Sequence, residues 1–223
     1  MHENPDAVAA RRAEALASAA ETMRAVRDRC VWTQGVTHRD LVPYLIEESA
    51  ELVDAVEDGS RAELREELGD LLWQVLFHAE IASRDPDDPF DIADVADGLT
   101  NKMVRRHPHV FGDDVAETPE QVLVLWNAAK AVEKSERRSV LDGVPRGMPS
   151  LALAQKLLGK GSRLIDEPEP VATAPDSEAE LGDALLSLVA RARARGWDAE
   201  RALRERLRGL EGDIRAAEAA ASS

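Results

Sequence analysis

The sequence predicts an all-helical protein, and three observations carry that expectation. Aromatic residues make up only 4% of the chain while Ala, Leu, Glu and Arg dominate, a composition that favours helices over pleated strands. Apolar residues recur at spacings of three and four through long stretches free of breakers. Gly and Pro gather in the few short segments between those stretches, where helices would be joined.

Taken in order, Leu16, Ala19, Met23, Val26 and Cys30 form a stripe of helical period, which predicts a first helix from Asp6 to Arg29. Trp32 to Thr37 contains a glycine and reads as a loop. Asp40 to Glu57 carries Leu41, Leu45, Leu52 and Val56 with acids between them, a second helix that stops at Asp58-Gly59. Ser60 and Glu63 form a capping box that opens a third, running through Leu64, Leu68, Leu71, Leu72, Val75 and Phe77 to Ser83. The connection is short, so the two form an antiparallel hairpin.

Asp85-Pro-Asp-Asp-Pro breaks the chain, and Ile92, Val95, Leu99 and Met103 mark a fourth helix from Asp91 to Arg106. Thr118 as cap with Pro119 behind it opens a fifth, expected to reach Arg138. After the loop Asp142-Gly-Val-Pro-Arg-Gly-Met-Pro, a short helix is expected over Leu151 to Leu158, and the proline-bearing EPEPVATAPDS (Glu167 to Ser177) reads as a linker. Beyond it, Glu180-Leu-Gly-Asp echoes Glu67-Leu-Gly-Asp and suggests an internal repeat. The expected organisation is therefore a main unit over 1–145, a short helix plus linker over 146–178, and a second, degenerate helical repeat over 179–223.

With 28 basic residues against 43 acidic ones, the formal charge of -15 argues against long nucleic acid as a partner. The same bias is compatible with mere solubility, or with a protein that recruits a cation wherever it meets phosphates. The lone Cys30 excludes an internal disulfide, and the scattered histidines (His2, His38, His78, His107, His109) lack zinc-ligand spacing. No stretch has the apolar length of a membrane span, and the first twenty residues lack a basic start followed by an apolar run, so a cytoplasmic protein is expected.

The chemistry is concentrated in the expected hairpin. Glu47, Glu48 and Glu51 lie on its first helix, and Glu67 and Asp70 on its second. Counted from Gly59, Glu51 and Glu67 are each eight residues away and Glu48 and Asp70 each eleven, which places four carboxylates at two matched levels. Anions that close repel unless a cation joins them, and hard oxygen ligands suit Mg²⁺, with Mn²⁺ as a substitute. Acids on a solvated helix face are the plainer alternative for any one pair. A dinuclear iron bundle would need Glu-x-x-His pairs, which neither helix supplies. On the fourth helix, Lys102, Arg105 and Arg106 could meet phosphates or could simply face solvent at a helix C-terminus. Trp32 and Trp126 could stack on a base, with Lys130 one turn past Trp126, although aromatic residues are more often core.

These motifs resemble the MazG family. The resemblance is carried by Glu47 to Glu51 (EExxE), by Glu67 to Asp70 within ELGDLLWQVLFHA, and by CVWTQGVTHRDLVPYLIEES, NKMVRRHPHVFGD and SVLDGVPRGMPSLALAQKL in that order. It covers roughly residues 15 to 165. It implies a helical bundle of the all-α NTP pyrophosphohydrolase type, a homodimer, and hydrolysis of nucleoside triphosphates to monophosphate and pyrophosphate. By position, Glu48, Glu51, Glu67 and Asp70 would ligate Mg²⁺ and Glu47 would act on the attacking water. Lys102, Arg105, Arg106, Trp32, Trp126 and Lys130 would contact substrate. Three departures stand out: Cys30-Val31-Trp32-Thr33 where relatives usually read Cys-Pro-Trp-Asp, Trp126-Asn127 where they read Trp-Glu, and, the largest, EPEPVATAPDS before Glu180 where a second EExxE helix would stand. A helical interaction or dimerisation protein without catalysis, and a pyrophosphohydrolase for one narrow nucleotide metabolite, are the alternative functions.

Overall fold

A computed structural model of the chain describes residues 4–133, 139–145, 147–162 and 175–209, and helices are the only regular structure among them. The chain divides into two compact units, residues 1–132 and 133–223. The first holds α1 (Pro5–Arg29), α2 (Val31–Gly35), α3 (Val42–Glu57), α4 (Arg61–Ala82), α5 (Ile92–Arg106) and α6 (Pro108–Phe111), with α7 (Pro119–Glu133) at its end.

Local chemistry explains most of these boundaries. The Asn4 side chain accepts from the Asp6 N–H at 3.1 Å and Pro5 occupies the first turn of α1, where its missing N–H costs nothing. At the start of α4, the Ser60 N–H donates to Glu63 Oε2 at 2.6 Å and the Glu63 N–H to Ser60 Oγ at 3.3 Å, completing the expected capping box. Asp91 and Asp94 form the equivalent pair at the start of α5. Gly59 in the α3–α4 turn has no room for a side chain, since a Cβ there would lie 2.6 Å from the Ala55 Cα. That close approach lets the hairpin fold back tightly.

α2 departs from the expected loop. Thr33 is buried there, and its hydroxyl donates to the Val26 carbonyl at 2.9 Å, also lying 3.1 Å from the Cys30 carbonyl. Those two acceptors belong to the end of α1, so the extra helical turn is anchored by tertiary contact. Met23, Val36, Leu41, Leu76 and Phe77 form the buried core where α1, the α2–α3 connection and α4 meet, with Trp73 and Ile81 packed against it. Arg27 donates to the Val36 carbonyl at 3.0 Å and lies over the Phe77 ring, 5.7 Å from its centroid. Arg84 bridges Asp28 at 2.6 Å and Glu80 at 2.7 Å, tying the end of α1 to the end of α4.

The second unit contains α8 (Ser150–Gly161), α9 (Glu178–Ala194) and a further helical stretch over 199–209. Leu158, Val189 and Ala190 are its buried core. Gln155 joins the pieces, donating to the Trp197 carbonyl at 3.0 Å and accepting from the Ala199 N–H at 3.4 Å. Gly196, at φ +70°, ends α9 in the left-handed conformation that only glycine adopts without strain. The expected extension of α7 to Arg138 and most of the expected linker lie outside the described residues.

Candidate active site

The α3–α4 hairpin brings three of the four matched carboxylates together. Glu48, Glu67 and Asp70 each place a carboxylate oxygen within 4.8 Å of the other two. Glu48 and Glu67 are half-buried, and Glu67 Oε2 is shielded from solvent with no hydrogen-bond partner among the described residues. Burial raises the Glu48 pKa, followed by the charges of Asp70, Glu51, Glu67 and Glu47. Burial likewise raises that of Glu67, followed by Glu51, Asp70, Glu66 and Glu63. Both residues thus sit in a field that resists their ionisation.

Glu51 stands beside this trio: it is exposed, contributes to both shifts, and lines a 340 Å³ recess with Asp54, Asp58, Glu63 and Glu67. Glu47 is exposed at the edge of the cluster and acts on Glu48.

An aromatic group lies toward the other end of the hairpin. Trp32 is 52% exposed and meets Tyr44 edge-on at 6.1 Å and Phe77 at 6.4 Å, while Trp73 meets Phe77 at 5.1 Å. Nearby in the fold, His38 and His78 stack with ring centroids 5.0 Å apart and Nδ1 atoms 2.7 Å apart, joining the α2–α3 connection to α4. Burial first, and His38 second, lower the pKa of His78.

The basic residues gather where α5, α6 and α7 meet. The Arg106 guanidinium lies 5.2 Å from the Trp126 ring centroid, and His107 meets the same ring at 5.0 Å. His107 Nδ1 is 2.7 Å from the Met103 carbonyl, and His109, 5.6 Å from His107, has a buried Nδ1 without a partner among the described residues. Trp126 is therefore held by cation–π and edge contacts. Lys102 and Arg105 share α5 with Arg106, and Lys130 is one turn beyond Trp126 on α7. Sequence alone did not single out Tyr44, the His38–His78 pair or Gln74, a fully buried α4 residue whose amide has no partner among the described residues.

Comparison with known proteins identifies the family of this chain. The family model of the MazG nucleotide pyrophosphohydrolase domain matches residues 36–111, which span the whole carboxylate hairpin and α5. The chain is 36% identical over 213 residues to a nucleoside triphosphate pyrophosphohydrolase/pyrophosphatase MazG of Thermotoga maritima, covering 87% of this chain and 81% of that one. The chain belongs to the MazG family. It is also 43% identical over 207 residues to the nucleoside triphosphate pyrophosphohydrolase of Mycobacterium tuberculosis, covering 89% of this chain and 62% of that protein. A third relative, an uncharacterised 26.1 kDa protein of the blaB 3′ region in Streptomyces cacaoi, is 50% identical over 200 residues, 89% of this chain and 80% of its own. Within the MazG pattern, the departure at Thr33 has a structural role here, since its hydroxyl is spent on α1 carbonyls. No described helix is long and apolar enough to cross a membrane.

Proposed function

We propose that this chain hydrolyses nucleoside triphosphates to nucleoside monophosphate and pyrophosphate, by attack of water assisted by a divalent cation. The observation that carries the reading is the convergence of Glu48, Glu67 and Asp70 within 4.8 Å, with Glu67 Oε2 buried and without a partner among the described residues. Three converging hard oxygen donors, with the pKa values of Glu48 and Glu67 raised, fit Mg²⁺, or Mn²⁺ in its place, better than they fit solvent. Glu48, Glu51, Glu67 and Asp70 would hold it. When bound, such an ion neutralises phosphate charge and acidifies water beside it.

The protein's own groups do the rest. Glu47, at the exposed edge of the cluster, is positioned to accept a proton from the attacking water. Lys102, Arg105, Arg106 and Lys130 supply positive charge for phosphate oxygens away from the metal, and the half-exposed Trp32 offers a face for a base, with Trp126 as the second platform. A second copy of the chain is the expected partner. The described residues of α5, α6 and α7 include none that is buried, and Val95, Leu99, Val104, Phe111 and Leu123 are exposed apolar groups on them.

The test is release of pyrophosphate and monophosphate from a panel of ribo-, deoxy- and oxidised nucleoside triphosphates, with Mg²⁺ and with EDTA. Metal-dependent appearance of both products is expected. Silence across the panel would move the protein to the non-catalytic interaction class, or to a narrow metabolite outside the panel.

A further inference from the structure

Helix register places Gln74 on the carboxylate face of α4. At about 100° per residue it points some 20° from Glu67 and 40° from Asp70, between the two, and about 6 Å further along the axis than Asp70. Helical side chains lean toward the N-terminus, which puts Gln74 over the turn that carries Asp70, four positions earlier, with no hydrogen bond between the two in this structure. A Gln and an Asp four apart on one helix can hydrogen-bond directly.

Its environment makes this placement meaningful. Gln74 is 0% exposed, and neither its Oε1 nor its Nε2 has a hydrogen-bond partner among the described residues. Burying an amide without partners is costly, and Met or Leu would fill the same volume without the penalty. His78, the other side chain on this α4 face with an N–H donor, is engaged with His38 through Nδ1. The unspent donor nearest the carboxylates along this face therefore belongs to Gln74.

We propose that Gln74 is a positioning residue for the metal site, its Nε2 donating to the Asp70 carboxylate oxygen that does not face the cation. The inference rests on the cation reading of the Glu48–Glu67–Asp70 cluster and adds to it. A carboxylate that held an ion through one oxygen would leave the other for an outer partner. Such a partner fixes the ligand's orientation, and its loss typically weakens metal binding about 10- to 100-fold.

The experiment is calorimetric titration of Mn²⁺ into the nucleotide-free full chain, alongside thermal melting in EDTA, for wild type, Gln74→Met and Gln74→Asn. Met keeps the length and volume without the amide; Asn keeps an amide in a smaller side chain and leaves a void. The expected result is a crossing of rank orders. The Met variant binds Mn²⁺ about 10- to 100-fold more weakly, yet melts in EDTA at or above wild type. The Asn variant melts lower but retains more Mn²⁺ affinity than Met. Wild-type Mn²⁺ affinity in the Met variant would overturn the assignment, as would affinity that merely tracks melting temperature across the three proteins. No Mn²⁺ binding by wild type would remove the cation reading itself, a result distinct from a selective failure of Gln74.

Discussion

Glu48→Gln removes one charge from the cluster while preserving shape, and its effect can be worked from the geometry. The carboxylates of Glu48 and Asp70 approach within 4.8 Å, and two unit charges at that separation repel by about 1 kcal/mol even in a water-like dielectric. Burial adds to the penalty on ionised Glu48. The variant should therefore be more stable than wild type without metal, by about 1 kcal/mol, which is about 2–4 °C in melting temperature for a chain of this size. The sign follows from linkage. An acid whose pKa is raised in the folded state favours folding most below its unfolded value and loses that contribution as pH rises through the folded one, so the advantage of the variant grows toward neutral pH. Mg²⁺ should reverse the order, stabilising wild type and leaving the variant nearly unmoved. The assay is thermal melting from pH 5 to 8 in EDTA and in Mg²⁺. A variant that melts below wild type in EDTA and responds equally to Mg²⁺ would refute the argument.

Further perturbations probe separate parts of the structure. Asp70→Asn or Glu51→Gln should cut nucleotide turnover by about 100-fold or more, with an unchanged helical circular dichroism spectrum; full activity in either variant would relocate the site. The His78 pKa is lowered by burial and by His38, so its contribution to stability is present above about pH 6.5 and lost as pH falls through the folded value. Replacing His78 with Gln should flatten the melting temperature between pH 7 and 5, and an unchanged slope would show that the pair does not titrate there. Met23 is only 2% exposed at the centre of the first unit's core, so Met23→Ala should lower stability by about 2–5 kcal/mol, read from the urea midpoint.

The carboxylate hairpin was legible in the sequence because each of its determinants is local. Apolar spacing sets the helices, Ser60 and Glu63 form their box within one turn, and Gly59 permits the close approach to Ala55. Counting residues from that glycine then placed Glu48 opposite Asp70, and these two now meet with Glu67. α2 was not legible, because its anchor is Thr33 bonding to carbonyls of the preceding helix, one of them seven residues back. The His38–His78 pair joins residues forty apart, and only the folded hairpin brings them together. Gln74 was concealed for another reason: a glutamine inside a helical run reads as surface, and only its register with Glu67 and Asp70 hints at burial.

The second unit shows what the first adds. Its α8 and α9 also pack as a helical pair, and α9 carries Glu180 and Asp183 at the spacing of Glu67 and Asp70. Glu180, however, is spent on the helix end, its carboxylate accepting the Asp176 N–H at 2.7 Å. The facing helix α8 contributes no acid at all, only Lys156 and Lys160 among its charged residues. A cation needs donors from both helices of a pair, and a pair with lysines on one side repels it. A Glu-Leu-Gly-Asp string whose facing helix carries no acids is a poor cation site, whereas α4 faces the acids of α3, and for that reason the proposed catalysis is assigned to the first unit.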